Sequence, residues 1–191
     1  MAIDLGLALD CAGLVEVGGL KNVYVTDIAT LTAVTPVSTA GEHSYSELTK
    51  NGWAMFQLKP STASWNVTSS KENGVTKFET TIQWYIPNVD TAMGHVLDDM
   101  TNACIVAVAQ FRSGEKMTCG ISEAYKGTGN GTEYWKYNKT YGTMTLEGTS
   151  GTDYTDGNGI TVTITASSFE YPRSYSGTIT PQAGNATANL A

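Results

Sequence analysis

The chain has 191 residues, enough for one generous domain and too few for two comfortable ones. Only 15% of its residues are charged, and Gly, Thr, Ser and Asn are abundant, as in β-rich proteins. Eighteen acidic against eleven basic residues leave a net charge of -7, which argues against a nucleic-acid reader and against an anionic membrane surface.

Residues 1–18 read as an arm with some apolar periodicity and a Gly-rich exit. Asp4 and Asp10, with no basic residue before Lys21, leave it without the positive region of a secretory signal. No apolar run reaches the roughly eighteen residues of a membrane helix. A first strand is expected over 20–28 (LKNVYVTDI). Side chains alternate along a strand, so Leu20, Tyr24 and Ile28 should share one face while Val23 and Val25 take the other. Both faces are therefore apolar. A second strand is expected over 31–35. Residues 36–52 are polar without a clear period and read as a loop of the length that is often functional.

Two strands, 53–59 (WAMFQLK) and 62–69 (TASWNVTS), are separated by Pro60. In the first, Trp53 and Met55 oppose Ala54, Phe56 and Leu58. Glu72-Asn73-Gly74 is a strong hairpin signal. It leads into a long strand over 75–86 with Phe78, Thr80, Ile82, Trp84 and Ile86 on one face and polar residues, with Tyr85, on the other. Asn88 or Asp90 can cap a helix over 89–101, whose stripe is Val89, Met93, Val96, Leu97 and Met100. Strands follow at 103–111 and 116–121 around a Ser113-Gly114 turn, then at 133–139, 141–148 and 159–166, the last with Ile160, Val162 and Ile164 inward. Residues 177–191 carry no charge and read as a flexible tail, either disordered or pinned against something else. The expected fold is mainly β: one antiparallel β-sandwich or barrel over 19–176 with a single flanking helix. Bulky groups on both faces of several strands predict a covering partner, another copy of the chain.

Cys11, Cys104 and Cys119 form an odd set without metal spacing. A two-residue turn at 113–114 would set Cys119 opposite Val108, on the same face as Cys104 and roughly 13 Å from it, beyond disulfide reach. His43 and His95 lie apart without a third ligand. No serine has the surroundings of a nucleophile elbow. No catalytic, cofactor or metal site is expected. The Asp153–Gly159 segment (DYTDGNG) has the flavour of a calcium loop but lacks the closing Glu, and reads as a turn. GTGNGT at 127–132 lacks the following helix of a phosphate cradle. Tyr134, Trp135, Tyr137 and Tyr141 could stack on sugars or bases, or serve as core and interface residues, which the acidic balance favours.

The order of GGLKNVYVTDI, LTAVT, WAMFQLKPSTASWNV, FETTIQWYI, one helix, ACIVAVAQFRSGEKMTCG and DGNGITVTITASSFEYP resembles the tail tube and related virion structural proteins of tailed bacteriophages. The likeness covers roughly residues 18–172. It implies a β-sandwich or barrel with a flanking helix that self-associates into rings, usually hexameric, stacked into a tube that conducts DNA. It assigns the 36–52 loop, with His43, Tyr45, Glu47 and Lys50, to contacts with the neighbouring ring, and both terminal segments to further inter-ring contacts. Val23, Val25, Trp53, Phe56, Trp84 and Tyr85 become subunit-interface residues. The implied partners are further copies of the chain and other tail proteins, with DNA a passing cargo that acidic walls do not hold. No cofactor, enzyme activity or membrane is implied; the place is the virion tail, after synthesis in the host cytoplasm. A neck, tail-terminator or capsid-decoration role is the nearest alternative. A carbohydrate-binding β-sandwich is an alternative of another class.

Overall fold

The computed structural model describes residues 18–37, 43–49, 52–87, 91–123, 135–136, 140–149 and 159–182. Their strands are β1 (Leu20–Asp27), β2 (Ala33–Pro36), β3 (Ser44–Thr49), β4 (Ala54–Gln57), β5 (Ala63–Glu72), β6 (Val75–Pro87), β7 (Ile105–Phe111), β8 (Lys116–Cys119), β9 (Thr143–Thr149), β10 (Gly159–Ser168) and β11 (Ser174–Tyr175). One helix, α1 (Thr91–Thr101), lies between β6 and β7. The strands make a seven-stranded sheet, β2-β3-β11-β8-β7-β1-β4, and a four-stranded sheet, β5-β6-β10-β9. The expectation of a mainly β sandwich with one helix is met.

Two turns set the alternation of apolar residues. Asn73 (φ 49) and Gly74 (φ 82) both take left-handed backbone, as a two-residue type I′ hairpin requires, and Glu72 sits opposite Val75. The β7–β8 connection is longer than the sequence suggests. The Phe111 N–H donates to the Glu115 carbonyl, so three residues, 112–114, make the turn, with Gly114 at φ 102. Cys119 therefore pairs with Ala107 and not with Val108. That one-residue change moves Cys119 to the opposite face from Cys104. Both thiols are free, and burial pushes that of Cys119 up to about 12.

The core between the sheets holds Leu20, Val23, Val25, Phe56, Ile105, Ala107 and Ala109 from the larger sheet against Ile82, Trp84, Met144, Val162 and Ile164 from the smaller, with Leu97 of α1. Phe56 and Trp84 touch with ring centroids 5.2 Å apart. A second core lies on the other face of the larger sheet, where Val106 and Val108 of β7 pack with Leu31, Val34, Tyr45, Leu48, Trp53, Trp135 and Tyr175. β7 thus alternates between two interiors, and the Ile105–Ala109 run is buried on both faces.

Strand β1 departs from simple alternation. Leu20 lies opposite Phe111 and Asn22 opposite Gln110, so one extra residue, Lys21, bulges out. The bulge reverses the parity. Leu20 joins Val23 and Val25 in the core between the sheets, while Tyr24 and Ile28 belong to the second core. The two apolar faces are covered by the chain itself, and this corrects the expectation of a covering copy. Val23, Val25, Trp53 and Trp84 are at most 1% exposed, and Phe56 is 8% exposed. They are core side chains with no surface left for a neighbouring subunit.

Other boundaries shift. The 36–52 stretch is not a structureless loop: β3 pairs antiparallel with β2 and lies parallel to β11. Ile28–Thr30 leaves β1 as a 3-10 turn, with Ala29 N–H donating to the Asp27 carboxylate at 2.9 Å. Residues 135–136 form a helical turn where a strand was expected. Val96, expected within the apolar stripe of α1, is 43% exposed. Residues 177–182, assigned to a flexible tail, are docked: Trp53 N–H donates to the Thr180 carbonyl, Gln182 N–H donates to the Trp53 carbonyl, and Ile179 packs on the second core. The arm over 1–17, Cys11, Lys50, the helix-capping Asn88 and Asp90, the 127–132 loop, Tyr134, Tyr137, the 153–158 turn and the tail beyond Gln182 lie outside the described residues.

Candidate assembly surface

The four-stranded sheet is buried on one face only. Register places Ala63, Trp65 and Val67 of β5 in rows with Trp84, Ile82 and Thr80 of β6, and these continue into Val162, Ile164 and Ala166 of β10. The intervening residues face away from the core. Across the strands they read Asn66–Thr81–Thr165–Thr143 and Ser64–Gln83–Thr163–Thr145. The middle of this outer face is therefore hydroxyl and amide, with charge only toward its margins at Glu72, Lys77, Glu79 and Glu147. Its groups satisfy one another: Gln83 Nε2 donates to Thr163 Oγ1 at 3.3 Å, and Thr143 Oγ1 donates to the Thr165 carbonyl at 3.4 Å. Tyr85, expected at an interface, lies on this face half-buried, its ring covering Gly159 so closely that a Cβ there would sit 2.5 Å from the phenol.

Among the described residues no strand pairs with the outer edge of β5 or of β9. The Tyr85 N–H donates to the Thr62 carbonyl. Antiparallel pairing alternates, so the even-numbered residues of β5 direct their backbone groups at β6, and Ala63, Trp65, Val67 and Ser69 direct theirs outward. Residues 68–77, at the end of the β5–β6 hairpin, are exposed on both faces, and Val75 at the tip is 52% exposed. The hairpin overhangs the sandwich.

The residues expected in a ring-stacking loop have different fates. Tyr45 is fully buried in the second core, and its hydroxyl finds no hydrogen-bond partner among the described residues. Burial, followed by the nearby charges of Glu123 and Glu170, holds that phenol well above its ordinary range, against the pull of Arg173. Glu47 is exposed and accepts from Thr35 and Thr49. His43 is exposed, with Nε2 2.6 Å from the Tyr171 carbonyl oxygen. The last two border a surface; Tyr45 does not.

Beside Tyr45 a polar latch ties three segments together. Arg173 Nη2 donates to Glu170 Oε2 at 3.0 Å, and its guanidinium lies 5.5 Å from the Tyr45 ring centroid. Glu170 Oε1 also accepts from Ser122 Oγ and from the Glu123 N–H. Burial works to raise the Glu170 carboxyl, but these bonds from Arg173, Glu123 and Ser122 outweigh it and hold the group below its ordinary range. Thr118 donates to the Arg173 carbonyl through both its N–H and its Oγ1. No sequence motif announced this cluster, because its members lie in three separated segments.

A cavity of about 10 Å³ lies between the sheets, lined by Thr118, Cys119, Thr140 and Ser167 among others. It has room for about one water. His95 pairs with Asp99 at 3.2 Å on the exposed side of α1. Among the described residues no three His, Cys, Asp or Glu side chains gather as metal ligands. Of the aromatics weighed for sugar stacking, Trp135 is 3% exposed and Tyr141 packs on the second core, so neither offers a platform. Compared with known proteins, the chain matches no family model, no curated protein and no solved structure.

Proposed function

We propose that the chain is a virion structural subunit that self-assembles into stacked rings, the tail tube of a tailed bacteriophage through which DNA passes. The observation that carries the reading is the four-stranded sheet, with its outer face polar and both edges unpaired among the described residues. A sheet with two open edges can be continued on both sides by copies of itself, and a curved continuation closes into a ring. Its outer face then lines the bore. Hydroxyls and amides, with three glutamates and one lysine toward the margins, give that wall no basic patch to hold phosphates. Of the aromatics behind the carbohydrate-binding alternative, Trp135 is buried and offers no stacking face.

Negative-stain electron microscopy at rising concentration, beside sedimentation, tests the reading. Rings or hollow tubes are expected; single rings that never stack would assign a neck or terminator role instead. Ser69→Pro removes one outward-pointing edge donor while leaving the bonds to β6 intact. It should give a folded chain that makes no rings. A chain monomeric at millimolar concentration, and unchanged by Ser69→Pro, would overturn the proposal.

A further inference from the structure

The seven-stranded sheet is continuous only through a two-residue strand. β11 pairs parallel with β3 and antiparallel with β8 at Met117. Among the described residues no other strand joins the β2–β3 hairpin to the remainder of the sheet. The sandwich itself is tied far more heavily, since β6 and β10 are in register over ten residue pairs, from Gly159 opposite Pro87 to Ser168 opposite Phe78.

The β2–β3 hairpin, through Val34, Tyr45 and Leu48, and residues 170–182, through Tyr175 and Ile179, together cover the second core. Their polar ties to the body are local. Trp53 exchanges backbone bonds with Thr180 and Gln182, Thr118 N–H donates to the Arg173 carbonyl, and Lys116 Nζ donates to the Gly177 carbonyl at 2.6 Å. Glu170 adds the bonds it accepts from Ser122 and Glu123. The two covering pieces also grip each other, as Ser174 and Ser176 N–H donate to the His43 and Tyr45 carbonyls. The hairpin is bracketed by points where the chain can turn: the Ile28–Thr30 3-10 turn precedes it, and Gly52, at φ 79, follows it. Opening would also return the Tyr45 hydroxyl, buried without a partner among the described residues, to water.

We propose that the β2–β3 hairpin and residues 170–182 form one cooperative cover, which opens from the second core while the core between the sheets stays packed, with Glu170 as its fastening. A two-stranded hairpin alone is marginal in water, so the cover loses its own ladder when it leaves. Opening bares an apolar strip of Trp53, Val106 and Val108 and frees the edge of β8 that β11 occupies. Closing then needs no refolding of the sandwich. The inference concerns a single chain and does not draw on the assembly reading above.

Native-state hydrogen exchange of the dilute full chain, in rising urea below the unfolding transition, tests the cover. The amides of Thr32, Trp53, Ser174, Ser176 and Gln182 should converge on one opening free energy. Its urea dependence should be smaller than that of the Val162 and Ile164 amides, because opening the cover exposes less surface than global unfolding. Ile82→Val should speed exchange at Val162 and Ile164 about fivefold and leave the cover amides unmoved. Glu170→Gln should speed both sets about tenfold, because the fastening is lost in either opening. Cover amides that share the free energy and urea dependence of Val162 and Ile164, or that quicken with them in Ile82→Val, would overturn the proposal. So would separate, urea-independent values at each cover amide, the mark of local fraying. Cover amides unmoved by Glu170→Gln would overturn the fastening.

Discussion

The two sheets solve the problem of a second face in opposite ways. In the seven-stranded sheet both faces are apolar, and the chain covers the second with its own β2–β3 hairpin, Trp135 and residues 177–182. In the four-stranded sheet the second face carries rows of threonine, asparagine and glutamine, and no described strand packs over it. An apolar face on a strand thus pointed to a missing partner where none was needed. The face most suited to a partner's continuation bears no apolar signal at all. Its signature is an uncovered backbone edge, which side-chain pattern does not report.

The comparison can be broken first at its largest expected effect. Trp84→Ala and Trp53→Ala empty the two interiors, and each should cost ~3–5 kcal/mol in urea unfolding. A loss for Trp53→Ala near zero would demote the second core to a loose cover. The seam between the sheets comes next. Ile105 and Gly142 exchange two backbone hydrogen bonds there, at 2.7 and 3.0 Å, and a Cβ on Gly120 would meet the Ile105 carbonyl oxygen at 2.3 Å with φ at 85°. Gly120→Ala should therefore cost ~2 kcal/mol or more, and a neutral result would mean that the seam yields easily.

The latch predicts a pH effect. The Glu170 carboxyl is held down in the folded chain, so its contribution is complete above its unfolded value near ~4.3 and is lost as pH falls through the lower folded value. Glu170→Gln should cost about 1–3 kcal/mol at pH 7 and flatten the acid side of the stability curve. Parallel curves for the two chains would deny the latch its role. The smallest effect belongs to the open face: Thr163→Val should change stability by less than ~0.5 kcal/mol. A larger loss there would reveal a face that is already covered.

The sequence made the long strands legible, because β6 and β10 alternate cleanly and the Asn73-Gly74 turn demands a hairpin. It misjudged features that depend on a single residue. The bulge at Lys21 and the third residue of the 112–114 turn each reverse the facing of everything beyond them, and neither changes composition or periodicity enough to be seen. β3 hid in a polar stretch because SYSELT buries only Ser44, Tyr45 and Leu48, too few to set a period. The expected site residues split accordingly. Exposed His43 and Glu47 keep a place at the surface, while Val23, Val25, Trp53, Phe56 and Trp84 were correctly read as needing cover and wrongly assigned its source. The latch was invisible, since Tyr45 and Ser122 reach the local Glu170–Arg173 pair only through tertiary folding.

The overhanging β5–β6 hairpin has a mechanical consequence. β6 is one unbroken strand of thirteen residues, roughly 43 Å long, whose far half is anchored by Ile82, Trp84 and Ile86 in the core. Any load on the tip at Asn73-Gly74 is carried along a continuous backbone to Trp84. A pull along the strand draws β5 and β6 together and so shears the β6–β10 ladder, while a sideways push finds no core to resist it before Phe78. The tip is compliant across the strand and stiff along it, so the hairpin behaves as a spring leaf clamped at the tryptophan.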